Sequence, residues 1–438
     1  MRPTLSSLTP NHVSPFSFQR KTSAKQRYAR IITLLFTVGL AGVAAAQAHK
    51  VTVLHTFESS PDGASPYLGS LVKDAEGNLY GTAQMGGDFN CQTGAPEWPG
   101  CGVVFKLDSN GTETVLYTFT GGTDGALPGG GLLRDAAGNL YGSTQFGGDL
   151  NCPELKGTGC GTVFRLDKAG KKTVLYSFAG GADGDQPIST LIRDAAGNFY
   201  GTTTGTVFKL DTNGKETVLY SFKGAEDGGG PTSVLVRDAA GNLYGTAQSG
   251  GKPNCPGGVG CGVVFKLDKD GNETVLYSFT GGADGGQPTA GLVRDAAGNL
   301  YGTTFLGGDP SCPQSSPFGC GTVFKVDNAG NETTLYRFAG YTGGANPMGS
   351  LIRSAAGYIW GTASGGGTFG GGAVFRLAPN GTEIVLHNFR GPEGAVPTGG
   401  VIRDAAGNFY GTTNAGGDFS CHDVNGCGTV FKIATVGP

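Results

Sequence analysis

The chain has 438 residues, 82 of them glycine, and only 15% of its residues are charged. Glycine shows no three-residue period, which excludes a collagen-like fold, and regular runs of valine, leucine, phenylalanine and tyrosine between the glycines exclude a disordered chain. Residues 49–438 hold 25 of the 31 basic residues and all 34 acidic residues, a net charge of −9 that disfavours nucleic acid and anionic membrane surfaces as partners.

The N-terminal segment is predicted to be a secretory signal peptide. Several lysine and arginine residues between Arg20 and Arg30 precede an apolar stretch at residues 31–46, and Ala46-Gln47-Ala48 provides a small-residue cleavage site. An uncleaved membrane anchor is the alternative, but the stretch is shorter than the roughly 20 residues of a spanning helix. We therefore expect residues 1–48 to be the signal peptide and residues 49–438 to be the folded domain, with no membrane insertion after cleavage.

One motif, Asp-Ala-Ala-Gly-Asn-Leu-Tyr-Gly, recurs seven times with small variations. Its copies are 44 to 61 residues apart, a period typical of an array in which one supersecondary unit is repeated. The copies begin at Asp74, Asp135, Asp194, Asp238, Asp295, the degenerate Ser354 and Asp404.

Each repeat is predicted to form four antiparallel strands. In the fifth copy the strands are expected at residues 291–294, 300–304, 322–326 and 332–338, with tight turns at 296–299 and 327–330 where glycine and asparagine accept positive φ. Seven such units predict an all-β, seven-bladed β-propeller. Residues 51–57 would supply the fourth strand that the last repeat lacks, and this pairing closes the ring. An open β-solenoid is the alternative, but its ends would need caps.

Ten cysteines occur as five pairs, each pair in the same loop of its repeat. Two repeats lack both members, and residues that appear and disappear together are expected to be partners. Disulfides in an oxidising compartment follow; zinc is the competing idea, but two thiols without a histidine cannot complete its coordination. The predicted pairs are Cys91–Cys101, Cys152–Cys160, Cys255–Cys261, Cys312–Cys320 and Cys421–Cys427.

The repeat resembles a known family. The succession of Asp-x-x-Gly-Asn-Leu-Tyr-Gly-Thr (295–303), Gly-Thr-Val-Phe-Lys-Leu (205–210) and Glu-Thr-Val-Leu-Tyr-Ser-Phe (273–279) is similar to the GloVer (Gloeo/Verruco) extracellular tandem repeat of bacterial choice-of-anchor proteins. The resemblance extends over residues 51–435. It implies a secreted bacterial protein, and it brings no catalytic residues with it. The blade pattern is also similar to NHL-type β-propellers, which is a likeness of fold only.

Three residue types recur at fixed positions of the repeat. They could form an anion-binding channel, calcium sites or an aromatic binding surface, but their presence in nearly every blade favours structural roles. These roles are an Arg–Asp brace of each turn, turn hydrogen bonding, and packing between blades. The basic residues are Lys73, Arg134, Arg193, Arg237, Arg294, Arg353 and Arg403; the acids are Asp62, Asp124, Asp183, Asp227, Asp284 and Glu393; the aromatic residues are Tyr80, Tyr141, Tyr200, Tyr244, Tyr301, Trp360 and Tyr410.

A functional site is expected where the symmetry breaks. The third repeat has no insertion between its second and third strands, so we expect a notch there on the face that carries all the long loops. The candidate ligand-binding residues beside the notch are Glu154, Lys156 and Lys252. Trp98 and His422 are two further candidates, in the cysteine loops that flank the ring closure.

The predicted function is a secreted binding or scaffold module for an extracellular protein or glycan. No nucleophile elbow, zinc-binding helix or metal-spaced cluster is present in the sequence, so we predict no catalytic residue, no metal and no cofactor. The alternative is a carbohydrate-active or lactone-cleaving enzyme on the same fold. A third possibility is a purely structural surface protein. We expect a monomer.

Overall fold

The computed structural model describes residues 49–91, 99–253, 255, 260–312, 318–421 and 425–435. The predicted signal peptide, residues 1–48, lies outside the described residues. Elsewhere, 28 β-strands form seven sheets of four strands each, which confirms the seven-bladed β-propeller. Neighbouring strands within each sheet are antiparallel. In the described part of the chain, no helix is long and apolar enough to cross a bilayer.

The strands of blades 1 to 3 are β2 (Val72–Lys73), β3 (Leu79–Ala83), β4 (Val103–Leu107) and β5 (Glu113–Thr118); β6 (Ala126–Arg134), β7 (Leu140–Phe146), β8 (Thr162–Leu166) and β9 (Lys172–Ser177); and β10 (Ile192–Arg193), β11 (Phe199–Thr202), β12 (Thr206–Leu210) and β13 (Glu216–Ser221). Short 3₁₀ helices at Gly122–Asp124, Gly181–Asp183 and Gly391–Glu393 lie in the connections between blades.

The strands of blades 4 to 7 are β14 (Val236–Arg237), β15 (Leu243–Ala247), β16 (Val263–Leu267) and β17 (Glu273–Ser278); β18 (Val293–Arg294), β19 (Leu300–Thr304), β20 (Thr322–Val326) and β21 (Glu332–Arg337); β22 (Ile352–Arg353), β23 (Ile359–Ala363), β24 (Ala373–Leu377) and β25 (Glu383–Asn388); and β26 (Ile402–Arg403), β27 (Phe409–Thr413), β28 (Thr429–Ala434) and β1 (Lys50–Thr56).

Strand β1 closes the ring, as predicted. It pairs antiparallel with β28, with Val51 opposite Ile433 and His55 opposite Val430, and the register shifts between Val53 and His55. The last blade is therefore built from both ends of the propeller, so that no blade is left with an unpaired third strand.

The first strand of most blades is shorter than the sequence predicts. In blade 5 only Val293–Arg294 pair, although residues 291–294 were expected to form the strand. The reason is crowding around the ring axis. A Cβ atom on Gly291 would lie 2.8 Å from Val234 and 2.9 Å from Ser350, which belong to the flanking blades. The chain leaves the sheet here to pack against its neighbours, and the first strands are innermost.

Phenylalanine pairs hold adjacent blades together. A phenylalanine that follows the outer strand of one blade packs edge-to-face on one from the third strand of the next, as Phe178 does on Phe208 at a centroid distance of 5.1 Å. The pair recurs at all seven seams and its members are almost all fully buried. The glycine of each Tyr-Gly dipeptide makes room for the ring: a Cβ on Gly201 would lie 2.7 Å from Phe208.

Candidate functional site

The seven-fold repetition gives the propeller two different faces. The turns between strands one and two and between strands three and four lie on one face, here called the turn face. The connections between strands two and three and between successive blades lie on the other, here called the loop face. This follows from the antiparallel order of every sheet.

On the turn face, the repeat motif forms a hydrogen-bonded unit. In blade 1 the Asp74 carboxylate accepts hydrogen bonds from the Asn78 backbone N–H and side-chain amide, both at 2.8 Å, and from the Tyr80 hydroxyl at 2.9 Å. Burial opposes ionisation, but these bonds outweigh it and lower the pKa of Asp74. The same unit occurs in blades 2, 3, 4, 5 and 7.

The seven basic residues at the ends of the first strands lie over the aromatic residue of the preceding blade. Lys73, for example, is 4.3 Å from the ring centroid of Tyr410 and 3.3 Å from the Asp404 carboxylate. The cation-to-centroid distances at the other seams are 4.6 to 5.7 Å. The pairs are Lys73–Tyr410, Arg134–Tyr80, Arg193–Tyr141, Arg237–Tyr200, Arg294–Tyr244, Arg353–Tyr301 and Arg403–Trp360.

The structural interpretation of these cations holds, but the expected partner was wrong. The aspartate that follows six of them in sequence is not the partner: Arg193 and Arg353 pair at 3.9 Å with Asp135 and Asp295 of the preceding blades. Successive residues of a strand point to opposite faces of the sheet, which separates the basic side chain from the next carboxylate. The cations therefore connect neighbouring blades.

The acids between blades are turn residues, as predicted, and each also binds an outer strand. Asp124 accepts hydrogen bonds from the Tyr117 hydroxyl at 2.7 Å and the Thr120 N–H at 3.0 Å. Equivalent bonds hold Asp183, Asp227 and Asp284, whereas Asp62 and Glu393 contact His55 and His387.

A glutamate at the start of the next outer strand stands beside this acid at several seams. Burial, with a smaller contribution from Asp183 or Asp227, raises the pKa of Glu216 and Glu273 to about 7. Their Oε1 atoms are buried and have no hydrogen-bond partner among the described residues. At one seam a lysine replaces the glutamate, and the almost fully buried Lys172 pairs with Asp124 at 2.9 Å. These pairs were not identified from sequence, because their members are far apart along the chain.

All five predicted disulfides are formed on the loop face, with Cα–Cα distances of 5.3 to 6.2 Å. The second cysteine of each pair also reaches the next blade: the Cys160 carbonyl accepts a hydrogen bond from the Gln186 N–H at 2.9 Å. The same bond is made by Cys101, Cys261, Cys320 and Cys427. The disulfides thus hold the loops that brace successive blades.

The predicted ligand-binding residues lie apart. Glu154 is exposed, and its carboxylate accepts a hydrogen bond from the Gly181 N–H at 3.0 Å; Lys156 is also exposed. Lys252 lines a depression of about 470 Å³ with Glu226, Asp227 and Glu273, while Glu154 and Lys156 are not among the residues that line it. Trp98 and His422 lie outside the described residues.

The expected shortening of the third blade is present. Strand β11 ends at Thr202 and β12 begins at Thr206, and a tight turn closed by the Thr203 N–H and the Thr206 carbonyl at 3.0 Å joins them. The depression beside Lys252 belongs to the adjoining fourth blade. A role of these residues in ligand binding stays a prediction.

The fold and the loops define a disulfide-braced, seven-bladed repeat propeller. The Gloeobacter/Verrucomicrobia repeat model matches residues 157–312 and 256–437, together more than half of the chain. The chain therefore belongs to this bacterial repeat family. No curated protein sequence matches it.

Solved structures share the fold at low identity. Streptogramin B lyase is 13% identical with a TM-score of 0.56, over 89% of this chain and 98% of that one. The extracellular domain of a hybrid two-component system protein from B. thetaiotaomicron is 13% identical with a TM-score of 0.52, over 88% of this chain and 42% of that one. A gluconolactonase from Xanthomonas campestris is 14% identical over 89% of this chain and 91% of that one, and its TM-score of 0.42 carries no argument. At these identities the likeness shows the fold alone.

Proposed function

We propose that the protein is an extracellular binding module that holds a protein or glycan ligand on its loop face. The observation that carries the proposal is the difference between the two faces. The turn face repeats the same short hydrogen-bonded turns around the ring, whereas the loop face carries the length variation and all five disulfides. Variable loops on a rigid scaffold are where binding residues concentrate.

The depression beside Lys252 is the candidate site on that face. Its lining combines the Lys252 ammonium with the carboxyl groups of Glu226, Asp227 and Glu273, so it offers both donors and acceptors to a polar ligand. Lys252 also lies 5.9 Å from the centroid of the Tyr277 ring. A few convergent polar groups in a concave surface are typical of a ligand site.

The disulfides support the extracellular location. In the described part of the chain every cysteine is paired, and such bonds persist in oxidising compartments. Secretion is tested by expressing the full chain in a bacterial host and identifying the N-terminus of the exported protein. A new N-terminus at residue 49 is the expected result.

The binding proposal is tested by a glycan array and by a panel of purified surface proteins, each probed with residues 49–438. The best ligand is then titrated against Lys252→Ala and against Lys269→Ala, an exposed lysine in a turn of the same blade on the turn face. We expect Lys252→Ala to weaken binding at least about tenfold, the loss of one charge-assisted bond, and Lys269→Ala to leave it unchanged. Equal effects of both substitutions would contradict the face assignment. A screen in which no glycan or protein binds would favour the purely structural role.

A further inference from the structure

The sixth blade departs from the repeat motif on the turn face. Ser354, Tyr358 and Trp360 stand where the other six blades have aspartate, asparagine and tyrosine. The turn itself is kept: the Gly357 N–H donates to the Ser354 carbonyl at 3.0 Å, and the Tyr358 N–H donates to the Ser354 hydroxyl at 3.2 Å. The backbone is therefore the same as in the other blades, but the carboxylate is missing.

This change removes the carboxylate from the turn beneath one cation of the ring. Arg403 of blade 7 lies 5.2 Å from the centroid of Trp360 and 5.6 Å from that of Phe409, the stacking seen at every seam. At the other six seams the residue under the cation is a tyrosine whose hydroxyl binds an aspartate. Across the described ranges, no carboxylate lies within 4 Å of the exposed Arg403 guanidinium. The same is true of Arg134, Arg237 and Arg294, but the turn beneath each of those cations keeps its aspartate.

The charged neighbours of Arg403 already have partners. Asp404 accepts hydrogen bonds from Asn408, Tyr410 and Lys73; burial opposes its ionisation, but these bonds outweigh it and lower the pKa of Asp404 to about 2. Arg353 pairs with Asp295. At this seam, Arg403 is therefore the cation that has no carboxylate within 4 Å among the described residues.

We propose that this seam is a binding site for the carboxylate group of a small organic acid. A depression of about 290 Å³ lies there, lined by Ile352, Arg353, Ser354, Trp360, Arg403 and Asp404. The ligand's carboxylate would lie where the aspartate side chain lies in the other blades, and the planar Arg403 guanidinium would donate two hydrogen bonds to it, with the Ser354 hydroxyl as a further donor.

The chemistry favours a monocarboxylate over a phosphate. Asp404 is one of the residues that line the depression, and a dianion beside it would be repelled more strongly than a monoanion. The site lies on the turn face, so it goes beyond the proposed loop-face function and does not depend on it.

Trp360 provides the readout. The chain has two tryptophans, Trp98 and Trp360, so Trp98→Phe leaves a single tryptophan, directly beneath Arg403, which is excited selectively at wavelengths that tyrosine does not absorb. The probes are sodium glucuronate and sodium acetate, with glucose as the neutral control and sodium chloride at equal ionic strength as the salt control. We expect a saturable change in Trp360 fluorescence with both carboxylates and none with glucose or chloride.

Two variants in the Trp98→Phe background locate the site. Ser354→Asp restores the carboxylate of the other blades, which would occupy the place of the ligand's carboxylate. It should lower affinity for glucuronate at least about tenfold, because the loss of one charge-assisted hydrogen bond changes a binding constant by about that factor. Arg403→Gln should do the same. Arg237→Gln, at a seam whose Asp194 is present, should leave affinity unchanged. Thermal unfolding is measured for each variant, and Ser354→Asp is expected to melt no lower than its parent.

Unchanged glucuronate affinity in folded Ser354→Asp would overturn the proposal. So would a response to glucose or chloride equal to that of the carboxylates, since the signal would then report solvent or salt. An equal loss in Arg237→Gln would likewise overturn it, because the effect would belong to the whole ring of cations.

Discussion

The glutamates between blades make the stability of the propeller depend on pH in an unusual direction. Glu273 lies beside Asp227, and burial first, then the Asp227 charge, raises its pKa from 4.5 to about 7. The other charged groups lining the same depression are Glu226 and Lys252. The folded state therefore holds this proton up to about pH 7, whereas the unfolded chain releases it near 4.5. Stability at this seam is highest below pH 4.5 and falls as pH rises to 7.

The size of the effect follows from that pKa. Each pKa unit corresponds to about 1.4 kcal/mol, so the full difference would be about 3 kcal/mol, and the partial exposure of Glu273 reduces it to about 1 kcal/mol through solvent screening. Glu273→Gln removes the charge but keeps the shape. We expect the variant to be about 1 kcal/mol more stable than the parent at pH 8 and equally stable at pH 4.5.

Two measurements between pH 4 and 8 check this prediction. Thermal unfolding gives the melting temperature of parent and variant, and urea titration gives their free energy of unfolding at each pH. The aspartates of the repeat motif act in the opposite direction: their lowered pKa values contribute stability that is lost as pH falls below about 4. Maximum stability is therefore expected near pH 4 to 5.

The seam with Lys172 supplies the matched control. There a cation replaces the glutamate and pairs with Asp124, so Lys172→Gln should destabilise the protein at pH 8. A parent protein whose stability rises steadily from pH 4.5 to 7, or a Glu273→Gln variant that gains nothing at pH 8, would refute the reasoning.

Three further perturbations test the ring. Deleting residues 49–57 removes β1 and exposes β28, so the melting temperature should fall sharply or the protein should aggregate, as size-exclusion chromatography would show; an unchanged melting temperature would contradict the closure. Replacing both Cys152 and Cys160 by alanine should cost about 2–3 kcal/mol in urea titrations, and non-reducing peptide mapping should find the five intra-loop pairs. Phe208→Ala leaves a cavity beneath Phe178 and should lower the free energy of unfolding by about 3–5 kcal/mol. The exposed Lys269→Ala is the control and should change it by less than about 0.5 kcal/mol.

Local repetition was sufficient to predict much of this architecture. The motif copies, the alternation of apolar residues and the paired cysteines lie within single repeats, where short-range turn geometry and strand periodicity determine the structure. Ring closure could also be predicted, because residues 51–57 supply the strand that residues 429–432 need.

The seams between blades were decided only by the tertiary structure. Arg193 pairs with Asp135, and Glu273 lies beside Asp227; each contact joins residues of different repeats, and their distance depends on how the sheets are inclined around the ring. The candidate ligand residues could not be grouped correctly from the sequence either. Glu154 and Lys252 lie on equivalent loops of different blades, but Glu154 binds the Gly181 N–H, whereas Lys252 lines a depression that Glu154 does not reach. The sequence by itself determined what each blade is, because a blade is made by local pairing. Only the packed ring decided which charges meet and that Arg403 lies over the one turn that lacks the aspartate, because those contacts arise between blades.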